Sequence, residues 1–143
     1  MHLTTSIALA VSAFLGGSLE SNPTIIVHPF SPAQTVEEYV RDYFADIPVM
    51  IAVASCESHF RQSDKDGTIL KNAHSSAIGV FQIMHSIHAG NAEKNLDIDI
   101  TTIEGNAAYA RYLYEKSGTK PWNASKECWG KTQEAKDHFA QAN

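Results

Sequence analysis

Apolar positions along this chain change their spacing several times, and each change marks an element. Val36, Tyr39, Val40, Tyr43, Phe44 and Ile47 follow the i, i+3, i+4, i+7 spacing of an amphipathic helix. Thr35, with Glu38 three positions later, fits a capping box at its start, which makes this the clearest helix in the chain. The next stretch, Ile47 to Cys56 (IPVMIAVASC), carries no charge and predicts a helix buried all round. Asp46 is placed to cap it, and Pro48 is tolerated in a first helical turn. From Arg61 to Ser76 the residues are polar, with a DKDG turn at Asp64 to Gly67, so a long surface loop is expected. Apolar character returns from Ala77 to Met84, and a helix is predicted over about 86–95, weakened by Gly90. A second capping box, Thr101 with Glu104, precedes the apolar face of Ile103, Ala107, Ala110 and Tyr114, and Gly118 and Pro121 close that helix. Residues 131–143 have helical propensity but little apolar face and are expected to fray. With no internal repeat and no strand series, the pattern predicts a mainly α fold.

The N-terminal part reads differently. Within residues 1–20 an uncharged run, Ile7 to Leu15, leads to Gly16, Gly17 and Ser18, the layout of a signal peptide or an N-terminal anchor, although His2 stands where Lys or Arg is usual. A buried N-terminal helix is the alternative, and the run is too short to span a bilayer. Residues 21–34, with three prolines and no helical period, read as an extended linker. The folded unit is therefore expected over residues 35–130, with 131–143 as a C-terminal tail. Export to a periplasm, cell envelope or the extracellular space is the expected location.

Length and composition narrow the class. A chain of 143 residues with 43% apolar and 19% charged content supports one globular domain. The formal net charge is -5 and the Lys and Arg residues are scattered, so no basic stripe exists to neutralise nucleic acid phosphates. Cys56 and Cys128 are the only two cysteines; in an exported chain they permit one disulfide, and otherwise they are two buried thiols. His85 and His88 share one helical face but lack a third ligand, and Asp64 and Asp66 lack the later ligands of a calcium loop, so no metal and no cofactor is expected.

Glu57 stands at the end of the uncharged run. A carboxyl group in the last turn of a buried helix is disfavoured as an anion by desolvation and by the negative end of the helix dipole. Such a group stays protonated closer to neutral pH and can act as a general acid.

Three strings now acquire a common meaning. Glu57-Ser58-His59-Phe60, Gly79-Val80-Phe81-Gln82-Ile83 and Asn106-Ala107-Ala108-Tyr109 resemble, in order, the three motifs of lytic transglycosylases with a goose-type lysozyme-like fold. The similarity covers about residues 47–117. It implies a single lysozyme-like helical domain that cleaves peptidoglycan glycan strands between N-acetylmuramic acid and N-acetylglucosamine, with Glu57 as acid and base and a 1,6-anhydro product. It also implies supporting or substrate-binding roles for Ser58, Gly79, Phe81, Gln82 and Tyr109, the last with its hydroxyl on Glu57 or the substrate.

Each of these residues has a plainer reading. Ser58 also fits a helix-end hydroxyl, Gly79 a turn glycine, Phe81 core packing and Tyr109 a core aromatic. Trp122 and Trp129 either stack on sugars or seal the C-terminal turn. Ser75 or Ser76 is a candidate for a muropeptide contact. Asp64, Asp66, Asp97 and Asp99 remain open as a second carboxylate, which would favour a hydrolytic muramidase of the same fold. A cell-wall-binding protein without turnover is the alternative outside the enzymes.

Overall fold

The computed structural model describes residues 25–141. The expected export segment, residues 1–20, lies outside them. The described chain is mainly helical: α1 (Val36–Tyr43), α2 (Pro48–Ser58), a hairpin of β1 (Ala77–Ile78) and β2 (Ile83–Met84), α3 (His85–Leu96), α4 (Ile103–Ser117), a 3-10 turn (Lys120–Ser125), α5 (Lys126–Trp129) and α6 (Gln133–Gln141). No helix among these residues is long and apolar enough to cross a membrane.

Helix α1 begins as its sequence dictates. The Thr35 side chain accepts the Glu38 N–H at 3.2 Å, and the Glu38 carboxylate accepts the Thr35 N–H at 2.7 Å. Its apolar stripe buries Tyr39, Val40 and Tyr43. Helix α2 is buried from Val49 to Ala54 without interruption, as a stretch lacking charge requires. It lies at the centre of the molecule, with α1, α5 and α6 packed around it. Asp46 does not cap it; Ile47 occupies that position. The Asp46 carboxylate instead takes two hydrogen bonds from the Arg111 guanidinium on α4, at 2.7 and 2.9 Å. Arg111 also lies over the rings of Tyr43 and Phe44, so one side chain ties α4 to the end of α1.

The second capping box does not form, and the cap itself falls one residue later. Thr102 caps α4 by accepting the Gly105 N–H, whereas Thr101 bonds to Asp99 in the preceding turn. Glu104, freed from the cap, accepts the Phe30 N–H at 3.1 Å. That bond helps hold the segment before α1, which has no helix or strand over residues 25–31, closes a turn through the Gln34 N–H on the Ser31 carbonyl at 2.9 Å, and is docked on the domain rather than standing off as a linker. Tyr39 and Tyr43 donate their hydroxyls to the carbonyls of His28 and Ile26, and the rings of His28 and Phe30 pack edge-on against the same tyrosines.

At the other end, residues 133–141 form α6 instead of a frayed tail. Ala135 is fully buried there and lets α6 approach α2 closely, while His138 hydrogen-bonds Tyr114 at 2.8 Å. A single alanine contributes little to an apolar period, which is why the sequence pattern understates this contact. The core joins Phe44, Phe81, Trp122 and Trp129, and the last two seal the C-terminal turn against it.

Candidate active site

Glu57 occupies the last turn of α2, between the bridged Cys56 and the buried Ser58. The Ser125 hydroxyl donates to its Oε1 at 2.6 Å. Burial pushes the Glu57 carboxyl above the ordinary carboxylate range, and the hydrogen bond from Ser125 opposes that shift in part. No carboxylate contributes to it: Asp66 and Asp99 are held by Thr68 and Thr101 in their own turns. Oε2 has no hydrogen bond and reaches solvent, since no buried side-chain oxygen of the described residues lacks a partner.

Immediately after Ser58 the chain reverses. His59 and Phe60 both have positive φ, 53° and 56°, in the region that non-glycine residues rarely occupy. Two such residues in succession, directly after the half-buried Glu57 and the buried Ser58, mark a site where local strain is held by its surroundings. Ser58 helps to hold it. Its hydroxyl lies 2.8 Å from the Val80 carbonyl and 3.2 Å from that of Ala54, and accepts the Arg61 N–H at 3.1 Å. Ser58 thus fastens the acid-bearing turn to the Gly79-Val80-Phe81 segment.

That segment is the loop of the β hairpin, whose strands pair Ala77 with Met84 and Ile78 with Ile83. Gly79 has φ 71°, and a Cβ there would fall 2.5 Å from Asn106 Nδ2 and 2.8 Å from Gln62 Oε1. Both the backbone angle and the space require glycine. The two amide side chains close in because they satisfy the loop's backbone. Asn106, fully buried on α4, donates to the carbonyls of Ile78 and Ile100 at 3.2 and 3.0 Å and accepts the Phe81 N–H at 2.9 Å. Gln62 accepts the Val80 N–H at 2.9 Å and donates to the Thr101 carbonyl at 2.8 Å. Gln82, at φ 48°, donates Nε2 to the Gly79 carbonyl at 2.9 Å and keeps Oε1 as an open acceptor.

The structure therefore ties the turn of Glu57 and Ser58, through the Ser58 hydroxyl on the Val80 carbonyl, to the loop that carries Gly79 and Gln82, and it reassigns two other candidates. Phe81 is fully buried between Phe44 and Trp122, so it shapes the core instead of facing a substrate. Tyr109 does not hold Glu57; its hydroxyl is engaged by His88 Nδ1 at 3.2 Å and Asn91 Nδ2 at 3.1 Å, both on α3. Burial raises the Tyr109 hydroxyl's pKa and lowers that of His88. Trp122 and Trp129 are buried, donating their ring N–H groups to the carbonyls of Phe81 and Trp122. Ser75 and Ser76 line a cavity of about 310 Å³ with Ile69, Lys71 and His85, and Ser76 also bonds Ser86 at the start of α3. Among the described residues no group of three His, Cys, Asp or Glu is arranged to hold a metal ion.

Three residues at or near this site carried no role in the sequence, Asn106 among them although it opens the third motif string. Asn106 lies in register with Ile103, Ala107 and Ala110, so a polar residue on a buried stripe was its signal. Gln62 lay in a polar loop and gave none. Ser125 was visible only through the cysteines: with Cys56 bridged to Cys128, residues just before Cys128 must lie near Glu57. Comparison with protein-family models, curated proteins and solved structures returned no match for the chain.

Proposed function

We propose that this protein is an exported lytic transglycosylase with a goose-type lysozyme-like fold, acting on the β-1,4 bond between N-acetylmuramic acid and N-acetylglucosamine in peptidoglycan. The observation that carries the reading is the lone Glu57 carboxyl, raised in pKa by burial, held on one oxygen by Ser125 and influenced by no second carboxylate. The three ordered motifs support the substrate class, and Gln82 with its open amide oxygen suits a sugar hydroxyl or acetamido group.

In this reading Glu57 gives its proton to the glycosidic oxygen, the N-acetylglucosamine side departs as a neutral alcohol, and positive charge develops at the muramic acid anomeric carbon. The muramic acid 6-hydroxyl attacks that carbon and passes its proton to the Glu57 carboxylate. The bond to the leaving oxygen breaks, the bond to O6 forms, and the acid is restored without water. One carboxyl group suffices for both steps. In the competing route water replaces the 6-hydroxyl, and the same fold then acts as a muramidase.

Mass spectrometry of muropeptides released from purified cell wall separates the readings. Anhydro-muramyl ends are expected; reducing ends would assign the hydrolytic route, and intact strands that retain the protein would assign binding without turnover. Glu57→Gln is expected to lower turnover at least a hundredfold, in keeping with loss of a general acid, with an unchanged far-UV circular dichroism spectrum.

A further inference from the structure

The segment that reaches Glu57 from the far end of the chain is fixed at two points. On one side, Trp122 is buried, with its ring N–H on the Phe81 carbonyl and its own carbonyl taking the Trp129 ring N–H. On the other side, Cys128 is bonded to Cys56, the residue directly before Glu57. Ser125 lies between these anchors, at the junction of the 3-10 turn and α5. Its single hydroxyl proton has two acceptors, Glu57 Oε1 at 2.6 Å and the Trp122 carbonyl at 3.1 Å.

We propose that Ser125 is the positioning residue of Glu57 and that the Cys56–Cys128 bridge holds it there, which makes the site responsive to dithiol reduction. The proposal rests on the glycan-cleaving reading for its consequence, but its geometry stands apart from it. Because Ser125 occupies Oε1 as a donor, the transferable proton of the acid belongs on Oε2, the oxygen that reaches solvent. Once that proton has left, the same hydroxyl stabilises the carboxylate until it takes the next proton. Ser125 therefore fixes both which oxygen reacts and how strongly it holds its proton.

Charged groups on the elements packed against α2 do not compete for this role. On α1, Arg41 pairs with Glu37 and with Glu134 of α6, Asp42 takes Gln34, and Glu38 is in its capping box. On α5, Glu127 pairs with Lys131 beyond it, and Lys126 is exposed. On α6, Asp137 takes Gln133, His138 takes Tyr114, and Lys136 is exposed; on the 3-10 turn, Lys120 is exposed. None of them shifts Glu57, whose proton affinity is set by burial and by Ser125.

Reduction by a small dithiol breaks the S–S bond, leaves two cysteine thiols and converts the dithiol to its own disulfide. The tryptophan anchors survive that change, so the expected response is local: Ser125 loses its fixed distance to Glu57 while the core stays packed.

The test follows the Glu57 side-chain carboxyl by carbon NMR across pH in the full oxidised chain, alongside muropeptide release. Ser125→Ala is expected to move the Glu57 titration to higher pH, to carry the basic limb of the kcat/KM profile with it, and to lower kcat about tenfold with KM little changed. Ser125→Thr, which restores the hydroxyl, is expected to return both. Reduced wild-type protein is expected to resemble Ser125→Ala, and reduction of Ser125→Ala to add little. A Glu57 titration unmoved by Ser125→Ala overturns the positioning role, while the glycan-cleaving reading survives if wild type still releases muropeptides. A moved titration in a protein that releases none keeps the positioning role and overturns the glycan-cleaving reading. Global unfolding on reduction overturns the clamp, because the bridge would then hold the whole fold and not one contact.

Discussion

Glu57 has a higher proton affinity in the folded chain than in the unfolded one, because burial disfavours its anion more than the Ser125 hydrogen bond favours it. A carboxyl group shifted in this direction contributes its full stability below the unfolded value, near 4.5, and loses that contribution as pH rises through the folded value. Glu57→Gln stays neutral throughout, so it is expected to melt above wild type at neutral pH and level with it at about pH 3; calorimetry at the two pH values measures the difference. An equal offset at both would assign the effect to packing. Gly79 offers a second test at this scale. Gly79→Ala places a methyl group 2.5 Å from Asn106 Nδ2 at a positive φ, and is expected to cost more than about 2 kcal/mol in urea denaturation. The partial burial of Glu57 was legible from its position after an uncharged run. Its partner was not, because a hydrogen bond across 68 positions leaves no local pattern.

Among elements, the helices with a clear apolar pattern were the readable part. Helix α1 and the buried α2 follow directly from spacing and absence of charge. The hairpin did not, because its strands are two residues each, too short for any alternation to register. Its loop is organised instead by amide side chains from elsewhere. Asn106 alone satisfies one N–H and two carbonyls around it. Asn106→Leu leaves those groups buried and unpaired, and is expected to destabilise the protein by about 3 kcal/mol. Urea denaturation checks the cost, and hydrogen exchange at the Phe81 amide, expected to speed up most, locates it. Tyr109 shows the opposite lesson. The motif resemblance implied a hydroxyl on the acid or the substrate, but helix α3 supplies His88 and Asn91 on the face where Tyr109 emerges.

At the scale of the whole molecule, both ends of the described chain fold back on its middle. Residues 25–34 lie on α1 and α4, and α5 and α6 lie on α2. Sequence periodicity cannot report such docking, since the strap has no helical face and α6 packs through one small residue. The bridge between residues 56 and 128 closes a loop of 72 positions, and in the chain-entropy model stabilises the protein by about 4 kcal/mol. The double substitution Cys56→Ser with Cys128→Ser is expected to lower the unfolding free energy by about that amount, measured in guanidinium chloride without reductant. The same connectivity sets an order in time. Glu57 leaves the ribosome 68 residues before Ser125, a delay of roughly 3 to 14 s at ordinary synthesis rates. Through that interval the acid is present without the hydroxyl that orients it, and its fixed partner arrives only when the nascent chain has passed Cys128 and the two sulfurs have joined.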